Sequence, residues 1–121
     1  MQERFRRVLF FKNYVEGFLD AVSPKVADKI VWTIKAIEYT PKVPETYLKR
    51  LEGTDGLYEI RVIFAGDIFR ILCFFDEGRL VVLTHGFQKK TQKTPGREIE
   101  RALRIRDEYY AEKKHKSDFA G

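Results

Sequence analysis

At 121 residues the chain has room for one compact domain, 1–121, and too little length for two full cores. Hydrophobic residues at 44% and aromatics at 14% can fill that core, so the 34% charged fraction describes a busy surface and excludes general disorder. Lys and Arg number 23 against 18 Asp and Glu, a formal charge of +5, which favours an anionic partner such as RNA, DNA or an acidic protein. The single cysteine, Cys73, excludes an internal disulfide and sits in the apolar run ILCFF as a volume-filling strand residue. No apolar stretch approaches the roughly 20 residues of a membrane span. The charges in MQERFRRVLFF interrupt the apolar core that a signal peptide requires, so a cytoplasmic protein is expected.

In chain order, Arg7 to Phe11 is short, apolar and β-prone, a first or edge strand. Asn13 is placed to cap a short helix through Ala21, with Val15, Phe18 and Leu19 on one face. Ser23-Pro24 then supplies an N-cap and a first-turn proline. From Pro24 to Tyr39, Val26, Ile30, Ile34 and Ile37 recur at helical spacing, which predicts an amphipathic helix laid on the core. Thr40 to Asp55, with Pro41 and Pro44, reads as a connection containing one helical turn. Three strands follow, Leu57–Phe64, Ile68–Phe75 and Arg79–Phe87, joined by short turns into an antiparallel meander. Thr94-Pro95 repeats the cap-and-proline signal for a last helix with Ile99, Ala102 and Leu103 inward, ending in a flexible tail, 113–121. Helices segregated from an antiparallel sheet make an α+β fold.

Alternation places Glu59, Arg61 and Ile63 on one face of their strand and Tyr58, Ile60, Val62 and Phe64 on the other. With the second set on the core, Arg61 projects from the opposite face, and Arg70 on the next strand is a candidate to share one anion with it. The competing reading pairs Arg61 with Glu59 or a surface carboxylate and leaves Arg70 on the rim. The loop QKKTQKT presents Lys89, Lys90 and Lys93 directly after a strand, a common way to grip phosphate and also the composition of an ordinary solvated loop. His85 reads equally as a proton shuttle or a hydrogen-bonded structural residue. Arg97, Arg101 and Arg104 share a face of the last helix, available to RNA, to an acidic partner or to solvent. Two histidines and one cysteine form no metal-ligand spacing, and no Walker loop, dinucleotide fingerprint or nucleophile elbow is present, so neither metal nor cofactor is expected.

The string LEGTDGLYEIRVIFAGDIFRILCFF, followed by LTHGFQKKTQKTP and a basic helix, resembles the RelE/ParE superfamily of toxins, and more narrowly its phage-derived HigB-like branch. The resemblance runs from RVLFF through the last helix. It implies a RelE-like fold and a type II toxin that enters the ribosome and cuts messenger RNA without a metal, held inactive by a cognate antitoxin of helix-turn-helix type. By match to the YEIR and FRI strands, Arg61 and Arg70 become the expected transition-state or substrate-phosphate ligands, while the base is open between His85 and Glu59, each with a structural role as the competing reading. By match to the basic loop, Lys89, Lys90 and Lys93 become RNA-binding or leaving-group-side candidates, and Arg97 on the helix that follows is a further RNA-binding candidate. Two departures leave proton transfer open: Glu59 stands where RelE proteins carry a lysine, and their C-terminal active-site tyrosine has no clear counterpart. Two alternatives follow from the shared scaffold, a ParE-like toxin that inhibits DNA gyrase without cutting RNA, and an inactive interaction protein that keeps the fold.

Overall fold

The computed structural model describes residues 3–89 and 93–120, with side chains through residue 116. Strand β1 (Arg7–Phe10) leads into helices α1 (Tyr14–Ala21) and α2 (Pro24–Tyr39). Strands β2 (Leu48–Arg50), β3 (Leu57–Phe64), β4 (Asp67–Asp76) and β5 (Leu80–Lys89) follow, and helix α3 (Gly96–Ala120) closes the chain. The five strands form one sheet in the order β1-β5-β4-β3-β2. β3 to β5 form the expected antiparallel meander and β2 adds to it antiparallel, but β1 joins β5 in parallel, with Arg7 opposite Leu80, so the sheet is mixed. Strand direction between segments distant in sequence has no local pattern to announce it.

Ser23 caps α2 by accepting the Val26 N–H at 3.3 Å, whereas Asn13 makes no side-chain cap on α1. Val26, Ile30, Ile34 and Ile37 of α2 and Val15 of α1 pack on Ile60, Val62, Phe69, Ile71, Cys73, Val81 and Leu83, on one face of the sheet. Burial pushes the Cys73 thiol well up, which leaves it inert. Gly86 of β5 gives Phe18 of α1 its seat, because a Cβ there would overlap the Phe18 ring. The β3–β4 turn is tight: Ala65 and Gly66 both take positive φ, at 51° and 84°, the two-residue geometry that matches strand twist.

β2 lies inside the segment read as a connection. Three residues are too few to establish an alternating pattern, and the strand exists by pairing Leu48, Lys49 and Arg50 with Ile60, Glu59 and Tyr58. The helical turn read in that segment is also there, since the Leu48 N–H donates to the Pro44 carbonyl.

The opposite face of the sheet is covered by α3, which packs Ala102 and Tyr109, with Ile99 and Leu103, on Leu57, Leu72, Phe74 and Val82. Residues 113–121 were expected as a flexible tail, yet α3 continues as far as Ala120, and Lys113 donates to Asp76 at 2.8 Å and to Glu77 at 3.0 Å. Tyr109 stands edge-on to Phe74 and donates its hydroxyl proton to Asp76 at 2.7 Å. Burial pulls the Asp76 carboxyl upward, but the hydrogen bonds from Lys113 and Tyr109 outweigh it and hold the group below its usual value. Tyr109→Phe should keep the packing, leave Asp76 one donor short and cost about 1 kcal/mol, read as a lowered urea midpoint with an unchanged denaturant slope.

Candidate functional site

Register brings the two strand arginines together. Arg61 of β3 stands directly opposite Arg70 of β4, so both side chains leave the same face, the one that α3 covers. Sequence reading treated that face as free of the core. α3 lies over much of it, and Arg70 and Glu59 are buried there.

The β4–β5 register slips between Ile71 and Cys73: Ile71 faces Gly86 while Cys73 faces Leu83, so β5 carries one extra residue. The Thr84 hydroxyl donates to the Leu72 carbonyl at 2.9 Å at this bulge. One inserted residue reverses the parity of every position after it. Leu83 faces the α1–α2 core, and strict alternation from there would send Lys89 to the same side. The bulge puts Phe87 opposite Arg70 and Lys89 opposite Ile68, on the arginine face.

At the centre is Glu59, fully buried. Arg70 donates from Nη1 to Oε1, Arg61 Nε lies 3.8 Å from the same oxygen, and the Thr94 hydroxyl donates to Oε2 at 2.5 Å. Thr94, expected to cap α3, instead ties the start of that helix to the sheet. Both carboxylate oxygens are engaged, while the Nε groups of Arg61 and Arg70 are buried without a hydrogen-bond acceptor, so the cluster holds surplus donor capacity.

Around it lies a cleft of about 410 Å³ whose lining includes the cations Lys49, Arg50, Arg61, Arg70, Lys89 and Lys93 and the carboxylates of Glu52 and Glu59. Lys89 is only 7% exposed. Burial first, then repulsion from Arg70, Arg61 and Lys49, brings its ammonium down to about 8, within reach of proton exchange near neutral pH. Such a cleft can hold a phosphodiester, neutralise charge developing on it and deliver a proton.

Of the candidates read from sequence, Arg61, Arg70, Lys89 and Lys93 line this one cleft. Lys90 falls outside the described residues. Arg97 is exposed on the first turn of α3 and is not among the lining residues. His85 also stands apart: it is buried between the Thr84 hydroxyl, 3.2 Å from Nδ1, and Glu98, 3.5 Å from Nε2, and is stacked on Phe87. Burial, then Arg101, brings it down to about 4 against the opposing pull of Glu98, so it is neutral at physiological pH. Sequence reading missed Lys49 and Arg50, whose signal was the basic pair in YLKRLE and whose placement required β2. Among the described residues no cluster of His, Cys, Asp and Glu is arranged to hold a metal ion, and no helix is long and apolar enough to cross a membrane.

The five-stranded sheet, its flanking helices and its order define a RelE-like α+β protein with a cationic cleft on one sheet face. The fold is similar to that in the crystal structure of the archaeal RelE-RelB complex from Pyrococcus horikoshii OT3, with a TM-score of 0.52 and 18% identity over 70% of this chain and 96% of that one. The chain belongs to the family described as Phage derived protein Gp49-like (DUF891), which matches residues 17–107. No curated protein matches it.

Two stability measurements test the electrostatics of the cleft. Glu59→Gln removes the charge that Arg70 and Arg61 share and should destabilise the fold by about 3 kcal/mol in chemical denaturation. Lys89→Gln should act in the opposite sense. The folded-state value of about 8 lies below the ordinary 10.5, so the cost of holding the ammonium is fully present below pH 8 and fades as pH rises toward 10.5. The variant should therefore gain on the order of 1–3 kcal/mol at pH 7, and the gain should vanish above pH 10.5.

Proposed function

We propose that this protein is the toxin of a type II toxin–antitoxin module, of the HigB-like kind, and that it acts as a metal-independent endoribonuclease cutting messenger RNA on the ribosome. The observation that carries this reading is the convergence of Arg61, Arg70 and Lys89 from three adjacent strands on one cationic cleft. Family membership and the RelE-like fold support it. A cognate antitoxin, proposed to be of the helix-turn-helix class, would silence it by covering the cleft or blocking ribosome entry, because a cationic concavity presents a complementary surface to an acidic partner.

In the proposed reaction the 2′-hydroxyl of one nucleotide loses its proton to solvent or to the ribosomal surroundings, and its oxygen bonds to the adjacent phosphorus. The bond from phosphorus to the 5′-oxygen breaks, leaving a cyclic phosphate and a free 5′-hydroxyl. Arg61 and Arg70 hold the non-bridging oxygens, where charge accumulates. Lys89, protonated below about pH 8, delivers a proton to the departing 5′-oxygen. Lys93, Lys49 and Arg50 hold the flanking backbone. Glu59 is a positioning residue, since both its oxygens are engaged by Arg70 and Thr94. His85, held between Thr84 and Glu98, supports the seat of α3 on the sheet.

The reading is tested by inducing the chain in growing cells and mapping new RNA 5′ ends, which are expected in translated regions and only while translation runs. Arrest without new ends, together with lost supercoiling, would replace it with gyrase inhibition. Arg70→Ala would also strand Glu59 as an unpaired buried charge, so Arg70→Lys is the cleaner variant. It keeps a cation on Glu59, loses the planar fork and should slow cleavage on programmed ribosomes by on the order of 10²-fold with the fold retained. If Lys89 is the acid, wild-type cleavage declines as pH rises through about 8, where the ammonium is lost. Lys89→Arg, which does not deprotonate in that range, should remove the decline; an identical alkaline limb in the variant would assign the proton to another group.

A further inference from the structure

A second concavity adjoins the cationic cleft and takes no part in the chemistry above. It is a groove of about 380 Å³ between α2, the connection that follows it and β3, with Trp32, Val43, Tyr47 and Ile63 prominent in its apolar lining. Trp32 is 62% exposed and is the chain's one tryptophan, and Tyr47 and Ile63 are about half exposed beside it. Leaving these large apolar side chains in water has a cost, and their clustering in a concave site marks a binding surface. The charged residues lining the groove are Lys29 and Arg61, both cations. Lys29 Nζ sits 4.8 Å from the centre of the Trp32 ring.

The groove and the cleft are joined at one residue. Arg61 lines both, and its N–H donates to the Tyr47 carbonyl at 2.9 Å, which fixes Tyr47 beside it. A strand whose phosphate lies against Arg61 can pass over β3 to bring a neighbouring nucleotide to exposed aromatic rings edged with positive charge. That is the combination by which proteins hold unpaired bases. Resting on the RNA cleft proposed above, we propose that the Trp32–Tyr47 groove seats an unpaired nucleobase of the same strand, stacked on aromatic rings while the adjacent phosphate occupies the cleft. The groove thereby sets how the strand lies across Arg61 and Arg70.

Because no other tryptophan is present, Trp32 fluorescence reports on the groove directly. The probes are a short single-stranded 2′-O-methyl RNA, which cannot be cleaved by attack of its own hydroxyl, and an abasic oligomer with the same number of phosphates. Each carries an end-label whose anisotropy measures binding independently. Both should bind through the cleft, but only the base-bearing strand should quench Trp32 saturably. Tyr47→Ala and Trp32→Ala should weaken the base-bearing strand by roughly five-fold to a hundred-fold and leave the abasic one unchanged, with Trp32→Phe recovering most of the loss. On programmed ribosomes Trp32→Ala should raise KM more than it lowers kcat. Equal binding of both oligomers without quenching would overturn the groove assignment while leaving the RNA cleft in place. Failure of both oligomers to bind, with ribosomal cleavage intact, would overturn the groove and spare the nuclease reading; failure of both binding and cleavage would remove the two together. Quenching by an acidic leucine-containing peptide, and by neither oligomer, would reassign the groove to a protein partner.

Discussion

A carboxylate with no access to water organises this molecule. Glu59 lies between the sheet and the first turn of α3, and an ionised carboxyl there is tolerated only if its charge is matched and its oxygens are hydrogen-bonded. Arg70 and Thr94 supply the hydrogen bonds, and Arg61 adds a second positive charge nearby. The same carboxylate resolves a conflict within the sheet, because Arg61 and Arg70 are direct cross-strand partners and like charges in that position repel. Glu59, diagonal to Arg70, lets both guanidiniums stand on one face. Thr94 carries the constraint outward and ties the start of α3 to β3, so ion cluster, helix placement and cleft shape are one arrangement.

The bulge in β5 is the second requirement. A lysine forced toward the apolar α1–α2 core would be expelled or would break the strand; one extra residue turns it instead toward the cationic side. There it meets charges of its own sign in a poorly hydrated place, and its pKa falls. The protein thus holds a buried ammonium at Lys89 at a cost in stability.

The chain shares its fold with an archaeal RelE-RelB structure at an identity too low to carry residue roles across. Its cleft has a chemistry of its own. The carboxylate of Glu59 gives the surrounding cations an internal counter-ion. Arg70 is consequently tethered, while Arg61 spans the boundary between the cleft and an aromatic groove. α3 is also fastened to the sheet farther along, where Tyr109 and Lys113 donate to Asp76.

Much of the architecture was legible because it is written in short-range patterns. The 3.6-residue recurrence of Val26, Ile30, Ile34 and Ile37 and the cap at Ser23-Pro24 determine α2. Alternation and tight turns determine β3, β4 and β5, and the motifs around YEIR, FRI and the basic loop pointed to the residues that line the cleft. What sequence alone could not decide was every feature that depends on which distant segments meet. The parallel pairing of β1, the existence of β2 and the covering of the arginine face by α3 arise from contacts across the fold. A bulge leaves no periodic trace, so the side on which Lys89 emerges was hidden, as was the exclusion of His85 from the cleft by α3. Residue type and local spacing determined the elements and the inventory of charges; only tertiary packing decided which of those charges lost their water, and desolvation is what separates a solvated lysine from a reactive one and a surface ion pair from the buried pivot of a site.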